Sequence, residues 1–181
     1  MGQLNILNLI INNNRDLWDQ LVGHLFCSRM GNRTARVEGF KDFATNELLF
    51  LHNEVCYHLG LYSKMDDWDV LSTKAPAALM DAVNLADQQL QVCIQGLGIP
   101  KATLLSIVPK PPVKAYMDWV NDLISTEDCL LALMAPCFLG YAKITTKLLN
   151  DPLTKKDTIF YKLWIEPTAG DPGLDKFVQG Y

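Results

Sequence analysis

The sequence is poor in the residues that most enzyme signatures are built from. It has three histidines, no C-x-x-C pair and no run of basic residues. There is also no G-x-S-x-G, no G-x-x-x-x-G-K-[ST] and no H-E-x-x-H, so the common hydrolase, nucleotide-binding and zinc-protease arrangements are missing. The cysteines Cys27, Cys56, Cys93, Cys129 and Cys137 are odd in number and widely spaced, which suits a reducing, cytoplasmic setting better than a disulfide framework. Lysines and arginines are scattered through a chain of net charge −4 and pI near 5.3, a pattern that gives nucleic acid no electrostatic footprint. The longest apolar run, Cys129 to Ala142, falls short of the roughly twenty residues that span a bilayer. Leu4 to Ile11 is broken by asparagines and lacks a basic leader and a small-residue cleavage site, so no export signal is read there. Paired strands with hairpin turns are missing too, and this points to an all-α fold.

What is present is helical periodicity around a substantial apolar content. The 181 residues, 49% of them hydrophobic, suffice for one continuous core and one domain. Leu17, Trp18, Leu21, Val22, Leu25 and Phe26 recur at three and four, predicting one helix over Arg15 to Met30 that stops at Gly31-Asn32. A long second helix is expected from Val37 to Gly60, apolar on more than one side and therefore internal. Tyr62 to Pro76 reads as a connection, and Ala77 to Leu97 as a third helix. Pro111 and Pro112 announce a fourth, near Val113. The central helix then covers Glu127 to Leu149, and a short one Asp157 to Ile165 before Gly170-Asp171-Pro172-Gly173. No solenoid repeat or low-complexity segment occurs, so a bundle of about six helices is expected.

Within the central helix Cys137 and Tyr141 stand one turn apart on one face. Pro136 lacks an amide hydrogen, so the helix is expected to bend or restart at Cys137, and any amides left open there would favour a thiolate. Against this, a thiol in an apolar run ordinarily packs as a small hydrophobe. Tyr116, Tyr141 and Tyr161 fall on three successive helices. Each taken alone is a packed ring with a satisfied hydroxyl; converging with the thiol they would form an apolar pocket for a flat heteroaromatic ligand. Glu47, Glu54 and His58 on one helix invite comparison with a di-iron bundle. That site needs Glu-x-x-His on two helices, and no histidine follows His58. His52 and Cys56 lack two further zinc ligands. No metal and no cofactor is expected.

These residues resemble the TenA family, also called thiaminase II. Pro136-Cys137 with Tyr141 resembles its cysteine helix, Tyr161-x-x-Trp164-Ile165 its Y-x-x-W-I segment and Lys114-Ala115-Tyr116 its tyrosine helix. His24-Leu25-Phe26 resembles the H-P-F near the family's start, and Phe40-Lys41-Asp42-Phe43 leads into a segment similar to its second helix. The order is kept from about Trp18 to Phe177.

The resemblance implies a heme-oxygenase-like multi-helical bundle without haem, and hydrolysis of thiamin or of an aminopyrimidine from its breakdown. It makes Cys137 the nucleophile, splitting a difficult displacement into two steps. Tyr116, Tyr141 and Tyr161 then hold the ring, and Glu47 takes the place of an aspartate at the aminopyrimidine edge. Three departures are visible. Glu47 is one methylene longer than aspartate; Phe50 replaces a tyrosine; and the chain stops at Tyr181, where family members continue into a helix with another pocket glutamate. The expectation is therefore a single TenA-like domain lacking that last helix. The small heteroaromatic substrate is its expected partner and a homo-oligomer its expected state, without nucleic acid or membrane. A non-catalytic protein of the same fold, binding a small heteroaromatic molecule or a protein, is the competing expectation.

Overall fold

The structure, a computed structural model, describes residues 6–170. The expected break through Asp171 to Gly173 and the far end of the resemblance, at Phe177, lie outside the described residues. Every regular element among them is helical, as the missing strand signals predict. No helix among them is long and apolar enough to cross a membrane.

The chain forms two compact units: one takes in the chain up to Arg36 and again from Leu131, and the other runs Val37–Leu130. In the first lie α1 (Ile6–Asn13), α2 (Arg15–Val22), α3 (Leu25–Gly31), nearly all of α8 (Glu127–Asn150) and α9 (Glu166–Ala169). The single helix expected over Arg15 to Met30 is two. Gly23 closes α2, and His24 turns to an extended conformation and caps α3, its Nδ1 accepting from the Phe26 amide at 3.3 Å. The apolar spacing survives such a break because it records which side is apolar and not whether the backbone ladder is unbroken. Glycines let α2 and α3 approach α8 closely. A Cβ on Gly140 would come within 3.0 Å of Leu21, and one on Gly31 within 2.9 Å of Leu148. The segment after α8 is tied back to α3 by Lys155 N–H donating to the Gly31 carbonyl and by an ion pair between Arg33 and Asp157. Met30, Ile144, Thr145, Leu148 and Ile165 form the buried interior.

The second unit is arranged on α4 (Val37–Tyr62), with α5 (Ala75–Gln91), the short α6 (Lys101–Leu104) and α7 (Pro111–Leu123). Two wider, π-helical turns flank α5, Val70–Lys74 before it and Val92–Gly96 after it. The connection expected over Tyr62 to Pro76 is thus helical from Trp68 onward. Its polar residues hide the turn, because a π turn shifts the side-chain period away from 3.6. The α4 and α5 helices run antiparallel: Gln89 Nε2 donates to the Ala44 carbonyl at 2.8 Å, and Cys93 lies against the same oxygen. Ala82 and Ala86 are small enough to bring the axes close.

The α7 helix lies parallel to α4. Contacts rise together along the two chains, from Lys110 N–H on Asn46 through Phe50 on Tyr116 to Tyr57 on the Met117 carbonyl. Pro111 and Pro112 occupy the first turn of α7, where missing amides cost nothing. Phe40, Leu48, Leu51, Leu61 and Val120 fill this interior, each contributing about 1.5–3 kcal/mol by leaving water.

Candidate functional site

Of the six residues singled out from sequence, Cys137, Tyr141 and Tyr161 belong to the first unit and Glu47, Phe50 and Tyr116 to the second.

In the first unit, α8 carries Cys137 and Tyr141 one turn apart, both half-buried. Of the bend or restart expected at Cys137, the restart does not occur: the helix runs unbroken from Glu127 to Asn150, with Pro136 inside it. Proline removes only its own amide, so the amides that follow stay within the helix and no helix start faces the sulfur. Tyr141 meets Trp164 edge to face, with ring centroids 5.6 Å apart at 82°. Thr145, fully buried one turn on, donates its hydroxyl to the Tyr141 carbonyl at 2.7 Å. The Y-x-x-W spacing serves this contact by placing Trp164 on the inner side of its segment.

That segment, Tyr161–Ile165, is a π-helical turn. Its wider coil puts residues five apart in register, and Tyr161 and Glu166 are so related. The Tyr161 hydroxyl is held above its usual range by desolvation first, then by the charge and hydrogen bonding of the Glu166 carboxylate. Lys156 Nζ stands 5.9 Å from the centroid of the same ring. Tyr161 is therefore buried beside the Glu166 carboxylate, a neighbour that a helical period of 3.6 does not reveal.

In the second unit, Phe50 and Tyr116 stack with centroids 5.6 Å apart at 28°, and Tyr116 leads on to Trp119 at 6.0 Å. Glu47 lies one turn before Phe50 and is half-buried. Glu54 lies one turn after Phe50. It is 6% exposed, and its Oε2 has no hydrogen-bond partner among the described residues. Burial first, and the neighbouring Glu47 carboxylate second, push the Glu54 carboxyl up to about 7. On sequence alone this residue belongs to a rejected metal pattern and then to packing. Its i, i+7 relation to Glu47 was the available signal.

The all-helical architecture is that of solved TenA-type proteins. A protein of Silicibacter described as a TenA family transcription regulator superposes with a TM-score of 0.74 at 19% identity, over 96% of this chain and 76% of its own. A protein of Sulfolobus solfataricus, provisionally described as a TenA-like thiaminase, gives 0.72 at 17% identity, over 99% of this chain and 80% of its own. The sequence profile of the TENA/THI-4/PQQC family matches residues 11–172, and the chain belongs to that family. A Schizosaccharomyces pombe protein provisionally named hydroxymethylpyrimidine/phosphomethylpyrimidine kinase 2 is 22% identical over 152 residues, which are 82% of this chain. The chain spans only 27% of that protein's length.

Proposed function

We propose that the protein hydrolyses thiamin or an aminopyrimidine released from it, with Cys137 as nucleophile. The observation that carries this reading is the half-buried thiol on α8, one turn from a tyrosine whose ring is braced by Trp164. Family membership supports it, as do the names of two relatives, one a thiaminase and one a pyrimidine kinase. The Cys137 thiol gives up its proton as its sulfur bonds to an electron-poor ring carbon, and the bond from the pyrimidine unit to the leaving nitrogen breaks; an amine departs with that proton, whereas the thiazole of thiamin departs neutral and the proton passes to solvent. Water then supplies the hydroxyl of the product, the carbon–sulfur bond breaks and the thiol is restored. By the family pattern Tyr141, Tyr116 and Tyr161 hold the ring and Glu47 accepts from its amine.

A second reading, a non-catalytic binder of heteroaromatic molecules, is favoured by one feature: Phe50 supplies a ring stacked on Tyr116 and no hydroxyl. Turnover separates the two. Purified protein should release product from thiamin or a 4-aminopyrimidine, and Cys137→Ser should abolish this while retaining the helical circular dichroism. A thiol-reactive pyrimidine should attach to Cys137 and spare the other four cysteines. Binding of either substrate without turnover by the wild type would reject hydrolysis in favour of the binder.

A further inference from the structure

The faces of α4 are assigned by their contacts. Asn46, Phe50, Asn53 and Tyr57 turn toward α7 and the residue preceding it: Asn46 accepts from Lys110, Phe50 stacks on Tyr116, and Asn53 and Tyr57 reach Met117. Ala44 meets Gln89 and Cys93 at the other side. Glu47, Glu54 and His58 follow one another at seven and four, on the stripe between. The two glutamates are about 10 Å apart along the axis, two turns, with Phe50 between them in height.

A carboxyl so deeply buried with an unbonded oxygen is costly to keep. Replacing it by an apolar side chain of similar size would relieve the fold, so packing gives no reason for it. Among the described residues no three histidine, cysteine, aspartate or glutamate side chains are grouped to hold a metal ion. Burial first, and the charge of Glu47 second, oppose ionisation of Glu54, so its carboxyl can donate where Glu47 accepts.

We propose that Glu54 is a ligand-binding residue: its neutral carboxyl donates to a ring nitrogen of an amino-substituted heteroaromatic whose amine is accepted by Glu47. This assignment rests on the functional reading above and adds to it a second acid on the ligand edge.

The test uses the whole chain and two probes, 4-aminopyrimidine and aniline, which share the amine and differ in the ring nitrogens. Calorimetric titration should show Glu54→Leu losing about tenfold in affinity for 4-aminopyrimidine, with Glu54→Gln, which keeps a donor, within about threefold of wild type. Aniline should bind all three alike. Difference infrared spectra of the wild type give a readout that needs no apolar variant. A carboxylic-acid carbonyl band missing from Glu54→Gln should shift when 4-aminopyrimidine is added. Folded Glu54→Leu that binds 4-aminopyrimidine as the wild type does, or a band that stays put, overturns the assignment and leaves hydrolysis by Cys137 standing. Wild-type binding of 4-aminopyrimidine that depends on Glu54, together with no turnover of thiamin or of a thiamin-derived aminopyrimidine, supports the assignment and rejects hydrolysis. No binding of 4-aminopyrimidine by the wild type overturns the assignment.

Discussion

The phenol of Tyr57 donates a 3.0 Å hydrogen bond to the main-chain carbonyl of Met117, and both groups are buried. This bond helps set the height of α7 along α4, and with it the overlap of Phe50, two turns earlier on α4, with Tyr116, the residue before Met117 on α7. Tyr57→Phe should cost about 1 kcal/mol, since the carbonyl keeps its helical partner and only the added bond is lost. Urea unfolding measures this, and an unchanged midpoint would show that the bond contributes nothing net.

Glu54 predicts an acid-side advantage in stability. In the unfolded chain it titrates near its ordinary 4.5, and in the fold at about 7. Between these values the folded chain holds a proton that the unfolded chain has released, so stability falls as pH rises through that window. Below it both states are protonated and there is no penalty; above it both are ionised and the penalty is full, on the order of 3 kcal/mol. The difference between wild type and Glu54→Gln, followed by urea unfolding from pH 4 to 8, should grow toward alkaline pH. A flat difference would mean that the group is solvated.

The cysteines should separate by reactivity. Cys93 is fully buried, and burial pushes its thiol up to about 11, while Cys56 is exposed. Iodoacetamide at pH 8 should modify Cys56 in the native protein and Cys93 only after denaturation, as peptide mass mapping would record. Native labelling of Cys93 would place it on a mobile part of the α5 region.

Trp164 is the brace for Tyr141, being 7% exposed and edge-on to its ring. Trp164→Ala should cost about 3–5 kcal/mol by leaving a cavity, whereas Trp164→Phe keeps an aromatic edge and should cost clearly less. Thermal unfolding of the pair decides this, and equal losses would deny the aromatic contact any special part.

Several parts of this arrangement were legible before any coordinates. Apolar patterning located α4, apolar on more than one side, and α8, which carries the longest apolar run, because a buried helix writes its burial into the sequence. Paired prolines marked the start of α7 by the same chemistry that exempts first-turn amides from bonding. The break at Gly23-His24 was not legible from periodicity, since a cap restores the backbone bonds without disturbing the apolar side. Nor were the π turns, which place Glu166 beside Tyr161 through a period that a 3.6-residue reading passes over.

The sequence by itself determined the helical class, the Cys137–Tyr141 spacing on one helix face and the family to which the chain belongs. These are matters of local order along one chain, and side-chain chemistry at fixed spacing records them. Tertiary structure alone decided that Phe50 rests on Tyr116, that Trp164 braces Tyr141 and that Glu54 is a buried acid with an unbonded oxygen. Burial and partner choice depend on residues remote in sequence, and the same glutamate at the same helical position is an ordinary surface charge or a neutral donor according to what covers it.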